Sequence, residues 1–258
     1  MRKKYKTKIA ILSGAGLSAE SNLRTFRDCE NGYWNEYKID EVCSINAWDK
    51  HPNKVNEFYN MRRKEVLNAK PNKAHIDFGL FENDSDNLYD YEITHVTQNV
   101  DDLLERAGCT KVIHLHGNIL KARSSNPLLD WAGISSDPKV NDYKKYDVGY
   151  EGLDNTKLAE DGYVLRPDIV FFGETLKTYN NALDIIEEAD ILIVVGTSLN
   201  VSPASGLVHA VKSDCEIFCI DLQSEETFNA TFDCIYIQDT AVNGVQKVLD
   251  MIKAKSIN

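Results

Sequence analysis

The sequence predicts an α/β fold, a Rossmann-like parallel sheet with helices on both faces plus a smaller inserted lobe. Three observations carry this. Short apolar runs recur along the chain with helix-like segments between them, the pattern of strands buried on both faces. The first run, "KIAILSG", leads into Gly14, Gly16 and Ala19, the G-x-G-x-x-G/A spacing that lets backbone N–H groups approach a pyrophosphate. Four such runs end in glycine or small polar residues, and open parallel sheets bind ligands at that edge.

In chain order the strand-like runs are "KIAILSG", "YEITHVTQ", "KVIHLHG", "DIVFFGE", "ADILIVVGTS", "CEIFCIDL" and "CIYIQD". "NVDDLLERAG" reads as a helix with Gly108 as its stop. "YNNALDIIEEA" and "AVNGVQKVLDMIK" are amphipathic at the helical period. Residues 29–80 carry the helix "KVNEFYNMRRKEVLNA" and no strong strand, and residues 121–165 are polar and rich in turn residues. Both read as insertions. The expected division is a nucleotide-binding domain of residues 1–28, 81–120 and 165–258, and a lobe of residues 29–80 and 121–164.

A chain of 258 residues can bury a substantial core. The net charge of −11 disfavours nonspecific attraction to nucleic acid or anionic lipid and favours basic partners such as lysine-rich protein segments. No apolar run is long enough to span a membrane, and the one at Ile9–Leu12 is too short for a signal peptide. The six cysteines are scattered without a C-x-x-C pair, as expected for free thiols in a reducing cytoplasm. Cys215 and Cys219 share a strand face and read as core thiols. The oligomeric state is not encoded in any pattern of this kind.

After the glycine loop the chain continues "ESNLRTFRD", a polar run in which Arg24 and Arg27 bracket Phe26. Such a loop can place charge on phosphates and an apolar lid over a ring. Gln98, Asn99 and Asp101 fall where a strand passes into a helix; capping by Asn99 or Asp101 explains one of them but hardly all. His114 and His116 are two apart and share a strand face, with His116 at the ligand edge as a base and His114 as a packing residue. No third metal ligand stands at a suitable spacing from them. Gly173, Gly196, Thr197 and Ser198 permit close approach of backbone to ligand. Tyr59 and Arg62 are three apart on a helix, so a phenol and a guanidinium share one face and can clamp a carboxylate.

The ordered series "GAGLSAES…TFRD", "TQNVD", "HLHG", "FFGE" and "GTSLNVSPA" resembles the sirtuin family of NAD-dependent protein deacylases, over nearly the whole chain. The resemblance implies that NAD is consumed: its bond to nicotinamide is cleaved and the acyl oxygen of a modified lysine captures the ribose carbon. It implies a cofactor loop of Gly14, Ala15, Gly16, Ala19, Phe26 and Arg27, with Gly196, Thr197, Ser198 and Asp221 also at the nucleotide. Gln98, Asn99 and Asp101 would hold the nicotinamide ribose and carboxamide, and His116 would be the general base. The strand Val170, Phe171, Phe172, Gly173 and Glu174 would pair with the substrate backbone. Tyr59 and Arg62 resemble the Tyr-x-x-Arg pair of class III members, which remove succinyl and malonyl groups.

There are departures. Most members carry four zinc cysteines after "LHG", but residues 117–214 hold none and Ser124 stands at the first expected position. No zinc is therefore expected, and apolar packing around Leu128, Leu129, Trp131 and Tyr163 is expected to substitute. Asp102, Asn22 and Asp221 also differ from the usual pattern. The reading is a deacylase giving nicotinamide and O-acyl-ADP-ribose. The rivals are an NAD glycohydrolase or mono-ADP-ribosyltransferase using the same pocket, and a weakly catalytic NAD-sensing module.

Overall fold

Six strands pair side by side, all parallel, in the order β3-β2-β1-β7-β8-β9. They are β1 (Thr7–Ser13), β2 (Tyr91–Thr97), β3 (Val112–His114), β7 (Ile191–Val195), β8 (Glu216–Asp221) and β9 (Ile235–Gln238). The computed structural model describes residues 6–24, 38–83, 90–127, 144–228 and 232–256. Phe26, Arg27, Cys29, Leu128, Leu129 and Trp131 lie outside the described residues.

The period of two along β1 divides the core. Ile9 and Ile11 face one side with Ile93, Val195 and Phe218, and are covered by α5 (Lys73–Glu82) and the C-terminal helix Ala241–Ser256. Ala10 and Leu12 face the other with Leu192 and Val194, under the helix Tyr179–Glu187 and the 3-10 helix Ala204–Ala210. Ile11 and Leu12 are fully buried, and each such side chain contributes about 1.5–3 kcal/mol relative to exposure. The chain runs outward from β1 to β3, then returns to β7 on the other side of β1. The crevice where the order reverses therefore opens at the carboxyl ends of β1 and β7.

Two short helices, α2 (Ile39–Val42) and α3 (Ile45–Lys50), precede α4 (Pro52–Asn68). Ser44 caps α3 by accepting from Ala47 N at 3.1 Å, and Pro52 starts α4, where its missing N–H costs nothing. The region expected to be mainly turns instead contributes strands. β4 (Gly117–Ser124) is the centre of an antiparallel sheet in the order β5-β4-β6, with β5 (Tyr146–Asp147) and β6 (Leu165–Ile169). Its core is Ala122, Val148, Leu153, Ala159 and Leu165, while Tyr163 is exposed and does not pack there. Polar side chains tie α4 to this sheet. Arg63 donates from Nε to Ile119 O at 2.8 Å, and Asn60 exchanges two bonds with the Leu153 backbone. Ser124 donates to Asp161, which also accepts from Asn126 Nδ2 and Tyr163 N. No described helix is long and apolar enough to cross a membrane.

Candidate functional site

The glycine loop is shaped by its neighbour as much as by any ligand. Gly14 N donates to Val195 O at 3.0 Å and Gly16 N to Gly196 O at 2.9 Å, which locks the β1 turn to the β7 turn. A Cβ on Gly14 would lie 2.7 Å from Thr197 Cβ, and one on Gly16 would lie 2.6 Å from Gly196 Cα. Gly196 itself has φ +61°. Ala15 is half-buried and precedes α1 (Gly16–Ala19), which lasts only four residues. Ala19 is exposed, so the third position of the glycine motif is not a packing position here, and the long helix of a hydride-transferring domain does not form. Asn22 has φ +62°, a conformation that asparagine tolerates better than most residues.

Gln98, Asn99 and Asp101 follow β2 at the same edge. Gln98 Nε2 donates to Thr197 Oγ1 at 2.9 Å, a bond between the β2 and β7 loops. Asn99 Nδ2 donates to Ser18 Oγ at 3.0 Å, and Ser18 Oγ donates to Asp101 Oδ2 at 2.9 Å. The remaining acceptor capacity of Ser18 faces His75 Nε2 at 3.5 Å. Because the one hydroxyl hydrogen goes to Asp101, the His75 ring is the donor in that contact. Burial drives the His75 pKa down to about 3, so the ring is neutral. Asp101 Oδ1 accepts from Leu103 N at 3.1 Å at the start of α6 (Leu103–Arg106). Burial raises the Asp101 pKa against the opposing pull of these two bonds. Asp101 therefore serves the helix start and the polar network together.

His116 lies past the end of β3, not on it, and yet both histidines reach the same loop. His116 Nδ1 lies 3.0 Å from Gln98 O, and a carbonyl only accepts, so Nδ1 carries the hydrogen and Nε2 keeps its lone pair. Burial lowers the His116 pKa, with the Gln98 bond opposing. His114 is not the packing residue expected. Its Nδ1 faces Asn99 O at 2.9 Å and its Nε2 faces Glu105 Oε1 at 2.7 Å. Two acceptor-only partners require both N–H groups, hence an imidazolium. Burial pulls its pKa down, but Glu105 and the Asn99 carbonyl together raise it. The adjacent carbonyls of Gln98 and Asn99 thus each hold one Nδ1–H, while burial keeps the His116 ring neutral and Glu105 favours the charged His114 ring.

The "VFFGE" stretch is a turn, not a strand, because β6 ends at Ile169. Its N–H groups are largely taken: Val170 N by His116 O, Phe172 N by Cys43 O, and Glu174 N by Phe171 O. Phe171 is buried and Phe172 exposed, with Gly173 at φ +94°. Glu174 is anchored inward rather than toward a substrate. Arg166 holds it through both guanidinium nitrogens at 2.6 and 3.0 Å, Arg123 at 3.0 Å, and Phe171 N donates to it at 2.7 Å. Arg166 in turn lies 4.0 Å over the Phe171 ring. Glu174 thus positions the Phe171 turn.

Tyr59 and Arg62, on α4, are 4 % and 8 % exposed, so the arginine is not solvated on an outer helix face. The Tyr59 hydroxyl donates to Cys43 Sγ at 3.4 Å and its ring packs 5.7 Å from Phe171. Burial lowers the Arg62 pKa, while Tyr59, Cys43 and Asp101 favour its charge. Thr197 is buried and Ser198 half-buried beyond β7. Asp221 ends β8 at the same edge, half-buried, and its Oδ1 accepts from Gln223 N at 2.9 Å.

Sequence reasoning missed Ser18, His75 and Asn72. Asn72 Nδ2 donates to Leu17 O at 2.8 Å while its Oδ1 caps α5. Asparagine before a helix with a polar residue three positions later is a capping signal, visible in "PNKAH". The Ser18 contact, between segments far apart in the chain, had no local sign.

A Sir2 family profile matches residues 14–203. A Helicobacter pylori relative named NAD-dependent protein deacylase is 38 % identical, covering 93 % of this chain and 95 % of its own. One from Aggregatibacter actinomycetemcomitans with the same name is 41 % identical, over 85 % and 95 %. A solved Sir2 homologue in complex with ADP-ribose superposes with a TM-score of 0.78 at 33 % identity, covering 97 % of this chain and 94 % of the other. The crevice at the β1–β7 reversal, its amide and carboxylate groups and this likeness along nearly the whole chain agree: the protein belongs to the Sir2 family.

Proposed function

We propose that this NAD-dependent protein deacylase acts on acyl-lysine side chains of proteins, taking acetyl groups and, through Tyr59 and Arg62, succinyl or malonyl groups. The observation that carries the reading is the His116 ring, whose Nδ1 is committed to the Gln98 carbonyl so that Nε2 is a free base. The residues at the crevice fit a dinucleotide by their chemistry. Gln98, Asn99 and Asp101 offer amide and carboxylate groups to a ribose and a carboxamide. Ala15, Thr197, Ser198 and Asp221 offer backbone and small polar groups to the rest, and Gly14 and Gly16 keep the turn beside them free of side chains.

NAD, when bound, supplies a ribose carbon that becomes electrophilic as the bond to nicotinamide breaks and that the acyl oxygen captures. His116 Nε2, as the free base, would take the proton of a ribose hydroxyl of bound NAD. Its lowered pKa keeps it unprotonated at neutral pH. Ser18 holds the Asn99 amide and the Asp101 carboxylate together at the crevice. Water releases the lysine amine and an O-acyl-ADP-ribose, and no enzyme nucleophile is used.

For the acyl group, burial strengthens a guanidinium–carboxylate contact while penalising a neutral acyl chain little, so Arg62 favours an acidic acyl end, and the Tyr59 hydroxyl joins it by turning from Cys43 Sγ. The reading assigns NAD to residues 1–28, 81–120 and 165–258, and the acyl-lysine to the boundary with the lobe of residues 29–80 and 121–164. The net charge of −11 favours lysine-rich substrates.

The test is incubation with NAD and acetyl-, malonyl- and succinyl-lysine peptides, with products identified by mass. The reading expects nicotinamide release that depends on acylated peptide, together with O-acyl-ADP-ribose. Nicotinamide release without peptide, or ADP-ribose attached to protein, would replace it with the glycohydrolase or transferase reading.

A further inference from the structure

Glu82, His95 and Cys109 come from three separated segments: the last residue of α5, the middle of β2, and the turn between α6 and β3. The fold brings a carboxylate oxygen, a ring nitrogen and the Sγ within 4.8 Å of one another. His95 is fully buried, Cys109 nearly so, and the Glu82 side chain is 10 % exposed, so the cluster sits just beneath the surface. Glu82 Oε1 is held by Thr110, whose N donates at 2.9 Å and whose hydroxyl also donates to it. That hold leaves Oε2 to face His95 Nε2 at 3.2 Å. His95 Nδ1 is buried with no hydrogen-bond partner among the described residues.

None of these side chains takes part in the crevice chemistry. The cluster lies at the far end of α5 from Asn72 and His75, about 15 Å and about 10 Å along the helix from them.

We propose that Glu82, His95 and Cys109 form a binding site for one borderline-soft divalent metal ion of the zinc type. A thiolate, an imidazole and a carboxylate are the donor classes such ions take, whereas magnesium and calcium require sets of oxygens. Tetrahedral zinc separates donors of these kinds by roughly 3.3–3.6 Å. The Glu82 Oε2–His95 Nε2 distance is 3.2 Å, a hydrogen bond just short of that range, and the three donor atoms lie within 4.8 Å of one another, so small side-chain movements bring all three to an ion. Thr110 is the outer partner that orients a ligating carboxylate. Three protein donors leave a fourth position for water on the Glu82 side, where the cluster meets solvent. On binding, the Cys109 S–H proton goes to solvent and a metal–sulfur bond forms. The ion joins the end of α5 to β2 and to the approach to β3, so its role is structural. The sequence showed no such site because its donors stand 13 and 14 residues apart, with no motif spacing.

The experiment uses the full chain, reduced and freed of metal by chelation, titrated with Co²⁺. One equivalent is expected to produce a thiolate-to-cobalt charge-transfer band with tetrahedral d–d bands, displaced by one equivalent of Zn²⁺. Cys109→Ser should lose the charge-transfer band and Cys219→Ser should keep it. Glu82→Gln, near the surface and close in shape, should weaken Zn²⁺ binding at least tenfold with unchanged circular dichroism. Absence of the band at one equivalent, the same band in Cys109→Ser, or unaltered Zn²⁺ affinity in Glu82→Gln would each overturn the proposal. Deacylation need not be measured, so failure here leaves the functional reading intact.

Discussion

The backbone carbonyl of Gln98 accepts the Nδ1–H of His116 at 3.0 Å, while the Gln98 side chain reaches away to Thr197 Oγ1 at 2.9 Å. A single residue thereby sets the tautomer of the ring and fastens the β2 loop to the β7 loop. No side-chain carboxylate is needed to orient the base, since a peptide carbonyl on a loop anchored at both ends does the same with less charge.

Replacing His116 by alanine should lower kcat/KM for acyl-peptide-dependent nicotinamide release by about 10²–10⁴-fold, the usual worth of a positioned base. NAD affinity, measured calorimetrically, should change little. In the wild type the acid limb of the pH–rate profile should fall below pH 6.5, because burial lowers the pKa of the ring that must be neutral. A limb above 6.5 would mean that another group is being titrated.

Arg62→Met should raise KM for a succinyl-lysine peptide by roughly 10–100-fold, corresponding to a lost charged hydrogen bond of about 1.5–3 kcal/mol. Acetyl-peptide turnover should stay within a few-fold. Tyr59→Phe should act in the same direction and more weakly. Equal loss on both substrates would show that Arg62 supports the fold of the pocket and not a carboxylate.

Gly16→Ala places a methyl 2.6 Å from Gly196 Cα, where only backbone could give way. It should destabilise the protein by about 1–3 kcal/mol and weaken NAD binding. Ala19→Ser, on an exposed position of the same motif, should stay within about 0.5 kcal/mol. Urea unfolding of the two variants makes the comparison.

Burial holds the His75 pKa in the folded protein at about 3, against the ordinary imidazole value of 6.5. Its neutral, buried state contributes stability that is present above pH 6.5 and lost as pH falls toward 3. The loss is about 1.4 kcal/mol for each pH unit within that window. His75→Gln removes this titration. Between pH 6.5 and 5 its unfolding free energy should therefore fall less steeply than that of the wild type. Parallel slopes would mean that His75 is solvated in the native protein.

The chain alone determined the parallel sheet, the crevice edge and most residues at it. Unbroken apolar runs in "KIAILS" and "ILIVV" dictate burial on two faces, and loops at strand ends must then carry whatever chemistry there is. Identity of type was also legible: "QNVD" and "HLHG" announce amide, carboxylate and imidazole groups wherever they come to lie. Tertiary structure decided the assignments within those groups, because each depends on a partner remote in sequence. His114 became a cation through Glu105 and Asn99, and Glu174 became an anchor through Arg166 and Arg123. Ser18 joined Asn99 to Asp101 across more than eighty residues. A side chain's residue type fixes what it can donate or accept. Burial and the neighbour supplied by another segment decide its charge, its tautomer and therefore its work.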